Sequence, residues 1–432
     1  MRKFWIIFIM LMSTLAFSNE KLSLQDCIQL AINNNPDIKI SKKQYKISKA
    51  GVTESYSTIL PSAGIGYSGS SSSQGPRVIY LESTPIDSTS KSTSSQHGIG
   101  FRVNQNIYDG GKWWNTIKKA KNNLRGSRVN QELTRQYIIN DVTEKFYTVL
   151  KARELLKVYE KSLENSREQL KKTKEMYKIG QVAKKDLFKA QVSEGNDRLS
   201  IIEQKTAYKN ALANLNQAMG RNPADQFEVV ENEYVKPQII ALEFAIEKAL
   251  GNNKELLALK AEQMSADLDY KIAKGSWLPS LSGSYSYSRG GNNLDLIYSK
   301  LDEDWSSSLS LDLSWSIFNG LQRKTNIQRN LLNYQMYDDH ITKKNIEIRN
   351  QIQLLIENLN TYMEMIDIQE LNIVSAQEDL RLAQEMYRLN SATLLEVLDA
   401  QVTLTTARQQ MVSTKYDAKK TETQLAFLMG TL

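Results

Sequence analysis

Histidine, cysteine and convergent carboxylates build most catalytic and metal centres, and this chain offers few of them. Among its 432 residues there is one cysteine, Cys27, and two histidines, His97 and His340, far apart in the sequence. A lone cysteine excludes a disulfide framework and a cysteine-rich metal site. Two isolated imidazoles leave little for proton transfer or metal binding. No glycine-rich phosphate loop and no Ser/His/Asp set at a supporting spacing occurs, so the expectation is no enzyme, no catalytic residue, no metal and no cofactor. Cys27 reads as a small buried hydrophobe, His97 as a residue at a strand–loop junction and His340 as one polar position on a long helix. The acidic pair Glu396 and Asp399 is different. Three positions apart, the two stand on one face of a helix, while Val397, Leu398 and Ala400 between and beside them face elsewhere. Alone they could be an ordinary solvated pair. Brought together from several chains, such carboxylates would repel one another and attract multivalent cations.

The elements that must position such a pair are set first by composition. Lys and Arg exceed Asp and Glu by 7, hydrophobic residues make up 41% and the mean hydropathy is −0.45. Beyond residue 18 no stretch approaches the roughly 20 apolar residues of a transmembrane helix. Before it, Arg2 and Lys3 precede the apolar run Phe4–Leu15, which ends in Ala16-Phe17-Ser18. That pattern predicts a cleaved secretory signal over residues 1–18, and hence a protein that works outside the cytoplasm with no nucleic-acid partner. Cys27 lies too far past the cleavage site, in Leu24-Gln25-Asp26-Cys27, to be a lipid-attachment residue.

The chain is written twice. Leu24, Ile28, Ala31, Asn34 and Asn35 recur as Leu242, Ile246, Ala249, Asn252 and Asn253, and Leu60-Pro61-Ser62 recurs as Leu278-Pro279-Ser280. Further on, Ile107-Tyr108-Asp109-Gly110 pairs with Ile317-Phe318-Asn319-Gly320, Met176-Tyr177 with Met386-Tyr387 and Met219-Gly220 with Met429-Gly430. The offset shortens by eight positions between Pro61 and Ile107, which marks a surface-loop insertion in the first copy. The organisation predicted is a first repeat over 19–220, a polar linker over 221–240 and a second repeat over 241–432.

Each repeat reads alike. A short helix (Leu24 to Asn33; Leu242 to Leu250) precedes a second (Asp37 to Ser57; Lys254 to Gly275), which Leu60-Pro61 or Leu278-Pro279 stops. Period-two segments follow. Leu281, Gly283, Tyr285 and Tyr287 alternate with serines; Leu309, Leu311, Leu313, Trp315 and Ile317 alternate with Ser310, Asp312, Ser314 and Ser316; Ile99, Phe101, Val103 and Ile107 alternate with polar or small residues. These are strands with one oily and one wet face, joined by Gly/Ser-rich loops over roughly Ser70–Ser95 and Arg289–Asp304. Then come two proline-free stretches of equal length, Lys112–Lys178 and 322–388, each about 100 Å if one continuous helix, and a further helix after each (Ala183 to Met219; Thr393 to Met429). Apolar spacings of three and four, as in Ile352, Leu355, Leu359, Met363 and Ile366, make these helices pack side by side.

The strands fit a membrane better than a soluble sandwich. They offer nearly the 9–11 alternating residues of a transmembrane strand, their polar face is small and wet as a water-filled lumen requires, and Trp113, Trp114, Trp277, Trp305 and Trp315 fall in or beside them, as interfacial aromatics do. Four strands per chain are too few to close a barrel. A dimer would make eight, filled by side chains, and a trimer twelve, enough for a pore.

This tandem of helix, hairpin, very long helix and helix behind a signal peptide resembles the TolC family of outer-membrane efflux proteins over nearly the whole mature chain. The most specific marks are Tyr108-Asp109-Gly110-Gly111, Phe318-Asn319-Gly320, and the helix-turn segments running from Tyr177 to Leu187 and from Tyr387 to Gln401. The resemblance implies a mixed α/β fold: a homotrimer whose 12-stranded outer-membrane β-barrel continues into a long periplasmic α-helical barrel. It further implies a passive exit duct for efflux or type I secretion, gated at a tip that meets a periplasmic adaptor and an inner-membrane pump. By the same resemblance Glu396 and Asp399 form the pore constriction, and Tyr387 with Asp186 forms one closing link. Ile179-Gly180-Gln181-Val182-Ala183 receives the adaptor. The arginine of a second link is absent, because Ala392 stands there facing Lys185. The rival reading is a secreted or periplasmic coiled-coil scaffold or adhesin, which has no use for duplicated amphipathic hairpins.

Overall fold

A computed structural model describes residues 21–82, 84–230, 234–299 and 301–432; the expected signal segment lies outside them. The elements of the first half are β1 (Lys21–Leu22), α1 (Leu24–Asn34), α2 (Pro36–Ser55), β2 (Ser62–Gln74), β3 (Arg77–Leu81), β4 (Thr84–Thr89), β5 (Ser92–Tyr108), α3 (Lys112–Lys178) and α4 (Lys184–Met219). Those of the second are β6 (Glu228–Val229), α5 (Leu242–Asn252), α6 (Lys254–Gly275), β7 (Ser280–Gly291), α7 (Leu294–Ser299), β8 (Trp305–Ser314), α8 (Gln322–Arg388) and α9 (Leu394–Leu428). The two long helices keep the limits that proline and glycine punctuation predicts, each unbroken over 67 residues.

Contacts divide the chain into two units, and α2, α3, α6 and α8 contribute to both. The unit built from residues 43–129 and 257–342 holds a four-stranded antiparallel sheet in the order β2-β5-β7-β8. Its registers put Leu309, Leu311, Leu313, Tyr285, Val103, Phe101 and Ile65 on one face, with serines, glycines, Asn104 and Arg102 on the other. Hydroxyls pair across the wet face, Ser286 with Ser308 at 2.8 Å and Ser288 with Ser306 at 2.9 Å.

The strand limits differ from expectation in three places. The serine tracts on either side of residue 80 are strand rather than loop, since β2 and β5 stay paired from Ser62↔Asn104 to Gln74↔Ser92; small hydroxyl side chains tolerate a wet, two-sided ribbon. The insertion carries its own hairpin, β3–β4. The alternation through Trp315 and Ile317 does not continue as strand, because β8 ends at Ser314, opposite Ser280. Beyond that pair stands Pro279, which has no N–H to offer a ladder.

The other unit, residues 21–42, 130–256 and 343–432 of the described chain, is a helical bundle. Its largest core gathers Cys27, Ala31, Val142, Phe146, Val149, Leu150, Leu215 and Met219, closed at one edge by the parallel pair β1–β6. Cys27 is buried there as expected. The Asn-Asn pairs that mark the repeat now have a cause. Asn35 Oδ1 accepts from Asp37 N (2.8 Å), starting α2, while its amide donates to Ala218 O (2.9 Å) at the end of α4. Asn253 repeats both bonds with Leu256 N and Leu428 O, each at 3.0 Å. The helix ends meet so closely that a Cβ at Gly220 or Gly430 would fall 2.9 Å or 2.5 Å from the Asn34 or Asn252 backbone.

Candidate functional site

Two features could carry function: the paired helix turns after α3 and α8, and the two-faced sheet. The turns are built alike. In the first, Gly180 takes φ +76°, Gln181 N donates to Met176 O at 2.9 Å and Gly180 N to Tyr177 O at 3.1 Å. In the second, Asn390 takes φ +54°, with Ser391 N to Met386 O at 2.8 Å and Asn390 N to Tyr387 O at 3.1 Å. Both are Schellman closures, which need one left-handed residue; glycine supplies it freely and asparagine at modest cost. Outside them, Lys178 pairs with Glu175 and Arg388 with Glu385, one helical turn back.

The turns present their apolar tips outward. Ile179 is 70% exposed and Leu389 65%, whereas Val182 is half-buried against the core formed by Ala190, Leu380, Tyr387, Leu394, Val397 and Leu404. Gly180, Gln181 and Ala183 are exposed with Ile179. In α9 the faces separate as the spacing requires: Val397 and Ala400 are buried, Leu398 is half-buried, and Glu396 and Asp399 both face out. Glu396 has a local partner as well. Thr393 N-caps α9, accepting from Glu396 N at 3.4 Å and donating to Glu396 Oε1 at 3.1 Å. The sequence signal for that cap was there, in Thr393-x-x-Glu396, but the resemblance drew attention only to the charge.

Tyr387 is buried, and Asp186 is half-buried on α4. Burial raises the Tyr387 phenol above its ordinary range; the neighbouring Thr173 hydroxyl offsets part of this, and the Asp186 charge adds to it. The two residues are therefore electrostatic neighbours, and the polar group beside the phenol is the Thr173 hydroxyl, which stands outside strict hydrogen-bond geometry to Tyr387 Oη. Lys185 is exposed and Ala392 half-buried.

In the sheet unit the tryptophans stand at two levels. Trp305 opens β8 in the row Tyr67–Ile99–Arg289–Trp305 and stacks on Tyr287 at 6.2 Å. Trp113, Trp114, Trp277 and Trp315 gather at the other end, where Trp315 Nε1 donates to Trp277 O at 3.1 Å and the Trp113 and Trp114 rings lie 4.2 Å apart. Four of the five are more than half exposed, Trp113 being the exception. The ten residues of β8 rise about 33 Å, or roughly 25 Å along a membrane normal at the usual barrel tilt, which is the height of an apolar band. The Asp-Gly and Asn-Gly strand ends turn out to be helix starters. Asp109 Oδ2 accepts from Trp113 N at 2.9 Å and Asn319 Oδ1 from Arg323 N at 3.2 Å, a role that Asx before a long helix could have signalled.

The family model described as "Outer membrane efflux protein" matches this chain twice, over residues 27–221 and 245–431. Outer membrane protein TolC of Escherichia coli (strain K12) is 23% identical over 424 residues, covering 95% of this chain and 82% of the relative. TolC of Vibrio cholerae is also 23% identical, over 425 residues, 95% of this chain and 91% of the relative. Among solved structures, the Campylobacter jejuni CmeC outer membrane channel superposes with a TM-score of 0.81 at 18% identity, covering 94% of this chain and 85% of that one. Two matched stretches that together take in most of the chain, with relatives alike along its length, place it: the chain belongs to the outer membrane efflux protein family.

Proposed function

We infer that this outer-membrane protein is the exit duct of an efflux or secretion system, closed into a channel by three copies of the chain. One observation carries the assembly. The sheet has an exposed leucine face and an exposed serine face, and its outer strands β2 and β8 each pair on one side only among the described residues. In lipid every backbone N–H and C=O requires a partner, so an open four-stranded sheet must be completed by other copies. Three give twelve strands around a wet lumen. The family and its relatives are channels, and the chain has no catalytic role in this reading. The repeats 19–220 and 241–432 joined by 221–240 are the units of duplication, supported by the doubled family match.

The helical unit extends the duct into the periplasm. Its exposed turn Ile179–Ala183 is the seat for an adaptor that links it to an inner-membrane pump, supported by the outward Ile179 and the open backbone around Gly180. Glu396 and Asp399 line the constriction, supported by their shared exposed face, and Tyr387 with Asp186 helps to hold it shut. Fractionation and planar-bilayer recording test the reading: a heat-resistant trimer in the outer membrane that conducts ions is expected. A monomer in the soluble fraction would overturn it.

A further inference from the structure

The connection between β7 and β8 is more than a hairpin turn. Arg289 lies on the apolar face of β7, level with Ile99 and Trp305, where a guanidinium would meet lipid. It is buried instead, because the chain folds α7 back over it. The guanidinium donates to Leu296 O at 3.1 Å and Ile297 O at 3.2 Å, carbonyls that so short a helix leaves without internal partners. Gly291 shows which face α7 covers: a Cβ there, on the same side as the Arg289 side chain, would fall 2.9 Å from Leu296. Ile297 is buried beneath the helix, while Leu294, Tyr298 and Leu301 point away, 47%, 64% and 72% exposed. The segment thus shows apolar side chains both to the sheet and to its surroundings, at the Trp305 end of the band formed by Leu309, Leu311 and Leu313. The polar residues Asp295, Ser299, Asp302 and Asp304 are exposed along with them.

A loop bathed only in water gains nothing from this arrangement. Exposed tyrosine and leucine side chains that continue an apolar face suit the boundary between headgroups and acyl chains, with the carboxylates beside them left on the water side. We propose that α7 with Leu301 is an interfacial anchor that inserts into the outer leaflet of the membrane, and that Arg289 is the latch holding it there. The proposal rests on the assignment of the leucine face to lipid. Its occupant is lipid because the patch continues that face.

Single-cysteine labelling of the full-length trimer in phosphatidylcholine vesicles tests it, since native Cys27 is buried. An environment-sensitive fluorophore is placed at Tyr298→Cys, at Leu309→Cys on the leucine face and at Ser71→Cys on the serine ribbon. Dibrominated lipid is expected to quench positions 298 and 309 and iodide only position 71. Iodide quenching at 298 with lipid quenching at 309 would overturn the anchor alone. A label at 298 reached by neither quencher would overturn it too, showing protein cover. Iodide quenching at 309 would bring down the membrane assignment and the anchor with it. Adding Arg289→Ala should move position 298 from lipid to iodide quenching while 309 stays lipid-quenched; an unmoved 298 would remove Arg289 from the latch role.

Discussion

Arginine placed along β8 should trace the membrane. Leu311 stands six positions beyond Trp305 on the same face, paired with Gly283. At about 3.3 Å per residue and a tilt near 45°, it lies about 14 Å inside the outer tryptophan level, close to the middle of a band about 25 Å tall. Leu309 lies about 9 Å deep and Leu313 about 19 Å by the same arithmetic. Arginine at the midplane of a barrel's lipid face costs about 2–4 kcal/mol, falling towards 0–1 at the interfaces. Leu311→Arg should therefore destabilise each chain by about 2–4 kcal/mol, or about 6–12 kcal/mol per trimer, with Leu309→Arg and Leu313→Arg milder. Ser310→Arg, one residue away on the hydroxyl face opposite Ser284, should leave the trimer nearly as stable as the parent. The assay is urea unfolding from lipid vesicles, with trimer melting on gels as a second readout. Equal losses at positions 310 and 311, or no gradient from 309 to 313, would refute the two-faced sheet as a membrane wall.

Glu396→Gln with Asp399→Asn should relieve block of the channel by divalent or trivalent cations in planar bilayers while keeping the α9 cap, since Gln retains the oxygen that accepts from Thr393; Thr393→Ala should do the reverse, costing about 1 kcal/mol of helix stability without relieving block. Tyr387→Phe with Asp186→Ala should raise single-channel conductance if the pair holds the tip. Because the buried phenol has only the Thr173 hydroxyl and the Asp186 charge beside it, Tyr387→Phe alone should change thermal stability by no more than about 1 kcal/mol in either direction. Gly180→Ala should cost about 1–2 kcal/mol through the left-handed backbone alone, since the new Cβ meets nothing within 4 Å, and Asn390→Gly should cost nothing; hydrogen exchange at the two turns would read the difference.

Much of this molecule was decided locally, and so was legible in its residues. Helix limits followed from proline, glycine and asparagine at the ends of α3, α6 and α8, because these residues act through their own backbone. The faces of β7 and β8 followed from a period of two, and the exposed side of α9 from a spacing of three. The doubled pattern announced the repeated architecture. What only the tertiary structure decided depended on partners far away in the chain. Ser70–Gln74 became strand because Ser92–Gln96 lay opposite, and β8 stopped at Ser314 because β7 had no residue to pair beyond Ser280. Asn35 and Asn253, seen in the residues only as marks of the repeat, proved to join their helix turns to the ends of α4 and α9. Arg289, unremarkable as a letter between Ser288 and Gly290, became a buried latch because α7 folds across it. Local propensities reside in a residue and its neighbours; register, close helix contact and the burial of a charge arise only when distant segments meet.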